Sequence, residues 1–219
     1  DDPNCSRDSA CGYFSTGSSD ARYLGGYDEH VGDDEVAWAG DVNGDNVADV
    51  ILGARQANGN DGGAYIVDGT LSGDVDLSVD ALAFLSGVSP YEHAGCAVAS
   101  AGDLDSDGFA DVLIGADNRS DLVSYGGVVY LVHGPVTGAI SLSSAEATVL
   151  GDVAWDSLGR SLEGGFDVTG DGVLDIVAST ARTGEFFVIS GDLVSGTSML
   201  SDVGMAVGTS AQELSVGGD

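Results

Sequence analysis

Asp103-Leu104-Asp105-Ser106-Asp107-Gly108-Phe109-Ala110-Asp111 is the stretch on which the reading of this sequence turns. Carboxylates at alternate positions of a tight loop can bring their oxygens to one point. Gly108 allows the turn, and the Phe109 carbonyl and Asp111 come at positions seven and nine. A hard cation of the calcium type takes six to eight oxygen ligands, and this spacing supplies them from one short segment. The pattern occurs twice more, as Asp41-Val42-Asn43-Gly44-Asp45-Asn46-Val47-Ala48-Asp49 and as Asp167-Val168-Thr169-Gly170-Asp171-Gly172-Val173-Leu174-Asp175. The leading aspartates are 62 and then 64 residues apart, which marks an internal repeat.

One calcium ion per loop is expected. In the first loop Asp41, Asn43, Asp45 and Asp49 offer side-chain oxygens and Val47 its carbonyl, while Asn46 takes the turn position, where asparagine tolerates a left-handed backbone. The second loop is the most complete, with Asp103, Asp105, Asp107 and Asp111 and the Phe109 carbonyl, and is expected to bind most tightly. In the third, Asp167, Asp171 and Asp175 are joined by the Thr169 hydroxyl and the Val173 carbonyl, so one charged ligand is lost and the weakest binding is expected. A metal-free turn rich in asparagine and aspartate is the competing reading of one such loop, and three in register argue against it. An EF-hand needs glutamate at position twelve, where this chain has Leu52, Ile114 and Ala178, and a helix after the loop.

Each loop leads instead into a strand-like run. Val50-Ile51-Leu52, Val112-Leu113-Ile114 and Ile176-Val177-Ala178 read as buried strands. A turn then leads to a second run, Ala64-Tyr65-Ile66-Val67, Val128-Val129-Tyr130-Leu131-Val132 and Phe186-Phe187-Val188-Ile189. Further strands end in Tyr23-Leu24, Phe84-Leu85, Val149-Leu150 and Ala206-Val207, and Val36-Ala37-Trp38-Ala39 leads into a loop. Four antiparallel strands per unit make a propeller blade, so the fold class is all-β.

Composition agrees. There are 35 glycines against 3 prolines, which suits short strands and tight turns. The formal net charge of −30, from 36 acidic and 6 basic residues, excludes nucleic acid and anionic membrane surfaces as partners. No apolar run is long enough to cross a bilayer, and membrane insertion is not expected. Cys5 and Cys11 are close enough for a small disulfide loop, which would fit an extracellular or cell-surface setting. Cys96, in a strand-like run, reads as a small buried side chain.

These residues resemble the FG-GAP repeats of integrin α-subunit propellers and of many bacterial surface proteins, over most of residues 20 to 219. The Phe-Gly position reads Val31-Gly32, Ala94-Gly95 and Leu158-Gly159, and the Gly-Ala-Pro position reads Gly53-Ala54-Arg55, Gly115-Ala116-Asp117 and Ala178-Ser179-Thr180. The glycine is kept and the aromatic is not. The resemblance implies calcium loops that stiffen one rim of a propeller while other loops meet partners. The expected organisation is a polar N-terminal segment (1–19), three repeats (20–79, 80–144, 145–201) and the start of a fourth (202–219), which ends as Ser215-Val216-Gly217-Gly218-Asp219 at the opening of another loop.

No enzyme is expected. Glu29-His30 and Glu92-His93 recur with the repeat and so read as a blade feature, and neither they nor His133 falls in a nucleophile, zinc or phosphate motif. Two functions are compatible with the repeats. The first is a secreted or cell-surface structural and adhesive protein, a calcium-stabilised propeller segment of a larger chain or a fibrous assembly, self-associating or continued by further repeats. The second is a ligand-binding propeller that recognises a glycan or a protein. Trp38, Tyr91 and Trp155, which could stack on sugars, are read as lying at unrelated repeat positions, which counts against a lectin.

Overall fold

The computed structural model describes residues 11–15, 20–26, 29–32, 35–120, 122–182, 184–193 and 195–207. The expected Cys5 to Cys11 pairing and most of the expected fourth repeat lie outside the described residues. Cys96 is buried, as its strand-like setting predicts, with Sγ 3.5 Å from the Gly159 carbonyl.

Three four-stranded antiparallel meanders succeed one another. The first holds β3 (Val36–Gly40), β4 (Asp49–Gly53), β5 (Gly63–Val67) and β7 (Ala83–Ser86). The second holds β8 (Ala94–Gly102), β9 (Asp111–Ala116), β10 (Val128–Val132) and β12 (Ala147–Leu150). The third holds β13 (Leu162–Phe166), β14 (Asp175–Ser179), β15 (Phe186–Ser190) and β17 (Gly204–Val207). Ahead of them β1 (Cys11–Ser15) and β2 (Asp20–Leu24) form an antiparallel pair. The first strands β3, β8 and β13 lie side by side, which is the stacking of propeller blades, here as an open series among the described residues.

The four expected strands are thus present, and the structure adds a fifth. Between the third and fourth strand of each blade the chain leaves its own sheet and pairs in parallel with the outer strand of the sheet before it. β6 (Gly73–Asp76) joins β2, β11 (Gly138–Ser141) joins β7 and β16 (Gly196–Met199) joins β12. Each clasp opens on a glycine with φ of 79°, 76° or 63°, a conformation other residues adopt at a cost. Each is succeeded by a leucine, Leu77, Leu142 or Leu200, that is almost wholly buried and starts a helical turn of three or four residues. In the first two, the preceding Asp76 or Ser141 side chain accepts the N–H of Ser78 or Ser143 as a cap. Burying one such leucine is worth about 1.5–3 kcal/mol.

Blades pack face to face, which explains the unbroken apolar runs. Val112 and Ile114 turn towards the first blade, joining Ile51, Ile66 and Leu85, while Leu113 turns towards the third with Ile176 and Ile189. Val50 and Leu52 face the opening sheet, with Tyr23 and Val75. A strand covered on both faces has no polar side to alternate with. Among the described residues the third blade is covered on one face only: Phe186, Met205 and Val207 are about half exposed on the other.

Candidate metal centres

The three loops join the first strand of a blade to the second, at one end of consecutive sheets. Each enters through a β-bulge, at Trp38/Gly40, Ser100/Gly102 and Gly164/Phe166, which aims the next aspartate out of the ladder.

Inside the loops the hydrogen bonding repeats position by position. The first aspartate folds the loop around its own carboxylate. Asp41 Oδ1 accepts the N–H groups of Gly44 (2.6 Å) and Asp45 (3.1 Å), and its Oδ2 accepts that of Asn46 (2.8 Å). Asp103 accepts from Asp107 and Gly108, both at 3.0 Å, and Asp167 from Gly170, Asp171 and Gly172. The fifth residue accepts the N–H of the seventh, from Val47, Phe109 or Val173, at 2.7–2.9 Å. The sixth residue is left-handed in all three, with φ of 66° at Asn46, 96° at Gly108 and 89° at Gly172.

The ninth aspartate is buried in each loop. Asp49 Oδ2 accepts the Val42 N–H and its Oδ1 that of Gly69, so one carboxylate ties the loop to the connection leaving β5. Asp111 does the same with Leu104 and Gly134. Burial pushes the Asp49 and Asp111 carboxyls above the ordinary carboxylate range, against the lowering effect of those N–H groups. Asp175 differs: its Oδ2 accepts from Val168 and Thr169, both at 2.8 Å, while Oδ1 is buried with no hydrogen-bond partner. A buried carboxylate oxygen without a partner is costly, and a cation is one way to satisfy it.

In the second loop one oxygen each of Asp103, Asp105 and Asp107 lie within 4.8 Å of one another. In the first, the Asn43 amide nitrogen instead points at Asp45 Oδ2 (3.5 Å) and Asp49 Oδ1 (3.4 Å). Asp105, Asp111 and His133 form an overlapping group, with His133 Nδ1 3.2 Å from Asp105 Oδ2. Sequence reasoning missed His133 as a loop neighbour. Its signal is positional: it stands just before Gly134, as Asp68 stands before Gly69 in the first repeat. The donor set, carboxylates with backbone carbonyls on a turn already folded, fits a hard divalent cation.

At the opposite end of the blades, the Glu-His positions are engaged in structure. Glu92 Oε2 accepts from Arg119 Nη1 (2.6 Å) and Tyr130 Oη (3.1 Å), and Oε1 from the Val88 N–H. Glu29 accepts likewise from Tyr65 (3.1 Å). His93 Nδ1 meets the Asn118 amide at 3.1 Å. The aromatic reading needs correction here. Tyr91 and Trp155 are 64 residues apart, the separation of Asp103 and Asp167, and both occupy the turn before a first strand with φ of 60° and 67°. They do recur at one repeat position.

An FG-GAP repeat family model matches residues 97–132, from within β8 to the end of β10. Integrin alpha pat-2 of Caenorhabditis elegans is 37% identical over 105 residues, which is 47% of this chain and 8% of that protein. Integrin alpha-7 of Rattus norvegicus is 35% identical over 153 residues, 67% of this chain and 12% of that protein. Phosphatidylinositol-glycan-specific phospholipase D of the same species is 32% identical over 154 residues, 66% of this chain and 18% of that protein. The chain therefore spans less than a fifth of the length of these relatives.

Proposed function

The chain belongs to the integrin-like FG-GAP repeat family, and from that premise we propose that it is a calcium-stabilised adhesive or structural propeller segment, acting outside the cell or at its surface. It works by binding, with calcium in a structural role. The observation that carries this reading is the position-by-position repetition of the three aspartate loops at one end of consecutive blades, with the Asp175 oxygen left buried and unpartnered in one of them. Asp41, Asn43, Asp45, Asp49 and the Val47 carbonyl would hold one ion. Asp103, Asp105, Asp107, Asp111 and the Phe109 carbonyl would hold a second, and Asp167, Thr169, Asp171, Asp175 and the Val173 carbonyl a third. Each ion offsets local carboxylate repulsion in a chain of net charge −30.

The third blade supports a reading of the partners as further repeats or further copies. Its open face carries Phe186, Met205 and Val207, and the first two blades bury the corresponding faces against a neighbour. A further repeat or a second copy would cover it in the same way. The phospholipase named among the relatives aligns over 18% of its length, and its activity is not carried over to this chain.

Calorimetric titration of the chelator-treated protein with calcium tests the proposal. Saturable uptake at the loops, with a rise in melting temperature, is expected. A protein that takes up no calcium and melts at the same temperature with and without it would refute the reading.

A further inference from the structure

At the end of the blades away from the aspartate loops, the connection entering the second blade and the connection between its second and third strands enclose a cleft of about 360 Å³. Ser89, Pro90, Tyr91, Glu92, Asn118, Ser120 and Tyr125 line it. That volume is at the small end of ligand sites, which run from about 300 to 1,000 Å³. We propose that this cleft binds a neutral sugar ring, held between the exposed rings of Tyr91 and Tyr125 and hydrogen-bonded by the polar groups beside them. The proposal rests on the reading of the chain as an adhesive module, and its chemistry does not depend on the cation loops.

Three features support it. The first is the aromatic presentation. Tyr91 is 64% exposed, and Tyr125 is stacked on Trp155 with ring centroids 4.4 Å apart and planes at 26°. The Trp155 ring stacks on one face of Tyr125, which still lines the cleft and is 38% exposed. An aromatic face is a broad, weakly negative surface on which the C–H groups of a sugar ring can lie.

The second is the backbone. Tyr91, Tyr125 and Trp155 have φ of 60°, 54° and 67°, a region where bulky residues are strained and where glycine or asparagine would sit at ease. Strain of this kind gathers at ligand sites, because the surrounding structure holds it for the sake of what the side chain does. All three residues lie on the two connections of this cleft or on the equivalent turn of the next blade.

The third is charge. The cleft carboxylate, Glu92, is buried and already paired with Arg119 and Tyr130, so it does not recruit a cation. The chain as a whole carries −30, which repels phosphorylated, sulfated or sialylated ligands. What remains beside two aromatic faces is a neutral polar rim: the Asn118 side chain, its amide 3.1 Å from His93 Nδ1, and the hydroxyls of Ser89 and Ser120. The Ser120 Oγ donates to the Asn118 carbonyl and accepts the Tyr125 N–H, so a sugar hydroxyl would share or exchange these partners. That combination suits a ligand with hydroxyls on its edges and C–H groups on its faces.

The test is saturation-transfer NMR of the calcium-loaded chain with methyl glycosides of glucose, galactose, mannose and N-acetylglucosamine, with methylguanidinium as a cationic probe. In parallel, fluorescence of a Trp38→Phe variant leaves Trp155 as the reporting tryptophan. At least one glycoside is expected to receive saturation and to shift the Trp155 emission. Tyr91→Ala and Tyr125→Ala should each weaken that binding by about ten-fold or more, and Trp155→Ala should weaken it less, since that ring acts through Tyr125. Calcium uptake and melting temperature serve as the check that the variants fold. The proposal is overturned if no glycoside binds the folded protein, if binding survives both tyrosine substitutions, or if methylguanidinium alone occupies the cleft. Sugar binding that persists in an Asp105→Ala protein with impaired calcium uptake would keep this site while separating it from the cation loops. Intact calcium uptake with no sugar binding would do the reverse.

Discussion

Asp49 and Asp111 place a carboxylate where water does not reach, and this sets the sign of the response to pH. Their pKa values are raised on folding, chiefly by burial. A carboxyl group whose folded pKa exceeds its unfolded one favours folding when protonated, so its charge is a cost at neutral pH that disappears as pH falls through the folded value. The metal-free protein is therefore expected to gain melting temperature between about pH 7 and about pH 5. The calcium-loaded protein should lose it over the same interval, because protons compete with the cation for the same oxygens. Melts in chelator and in calcium at both pH values check this, and a shift of the same sign in both would remove the ninth aspartates from the ligand set. Asp105 is the cleaner probe of the second loop, being about a third exposed and tied to the connection leaving β10 only by its contact with His133 Nδ1 at 3.2 Å, a partly exposed pair worth little to the fold. Asp105→Ala is expected to lower calcium affinity there by about ten-fold or more while leaving the metal-free melting temperature within about a degree, read by calorimetry and melting. These loop residues were legible in the sequence because most of their geometry is local: the first and fifth residues, and one oxygen of the ninth, accept N–H groups two to seven positions away. His133 and the Gly69 and Gly134 N–H groups were not, because they arrive from a different connection and carry no motif.

Strands buried on both faces were equally legible, since such a strand must be apolar throughout and the β4 and β9 runs are; the β14 run reads the same way although one face of its blade is uncovered among the described residues. The clasp strands were not. In β6 only Val75 is buried, and in β11 no residue is fully so, which leaves no alternation to read. Their pairing is also parallel and non-local, Gly138 opposite Ala83 and Ile140 opposite Leu85. What the sequence does carry is a repeated small residue, glycine and leucine: Ser72-Gly73 to Leu77, Thr137-Gly138 to Leu142 and Ser195-Gly196 to Leu200. The leucine is the anchor, so Leu142→Ala should destabilise the chain by about 2–5 kcal/mol in chemical denaturation. A cost below about 0.5 kcal/mol would mean that the clasp decorates the blade without holding it. Blade contact makes a second demand at Gly102. Its φ is 74°, and a Cβ there would lie 2.7 Å from Leu174 Cδ1 of the next loop. Gly102→Val is expected to cost about 1–3 kcal/mol from backbone strain, with overpacking against the third blade added to it. The same denaturation curves measure it.

On the scale of the whole molecule two tendencies oppose each other. The third blade presents Phe186, Met205 and Val207 on a sheet face whose counterparts in the first two blades are covered, and an apolar sheet face in water favours a partner. The net charge of −30 keeps copies apart. Calcium bound at the loops as proposed would shift the balance, since each divalent ion would cancel part of the repulsion and stiffen the loop end of a blade. Self-association should therefore depend on calcium, on salt and on this face together. Light scattering is expected to give a larger mass in millimolar calcium than in chelator. Moderate salt should restore part of the association in chelator, because screening acts on the same repulsion over a Debye length of about 10 Å at 0.1 M. Phe186→Glu places a charge on this face, beside Val207, and should return the calcium-loaded chain to a monomer with calcium uptake unchanged. A mass that ignores that substitution would move the contact elsewhere, to the paired sheet edges or the cleft end. A mass that ignores calcium as well would mean that the charge on this chain governs only its solubility.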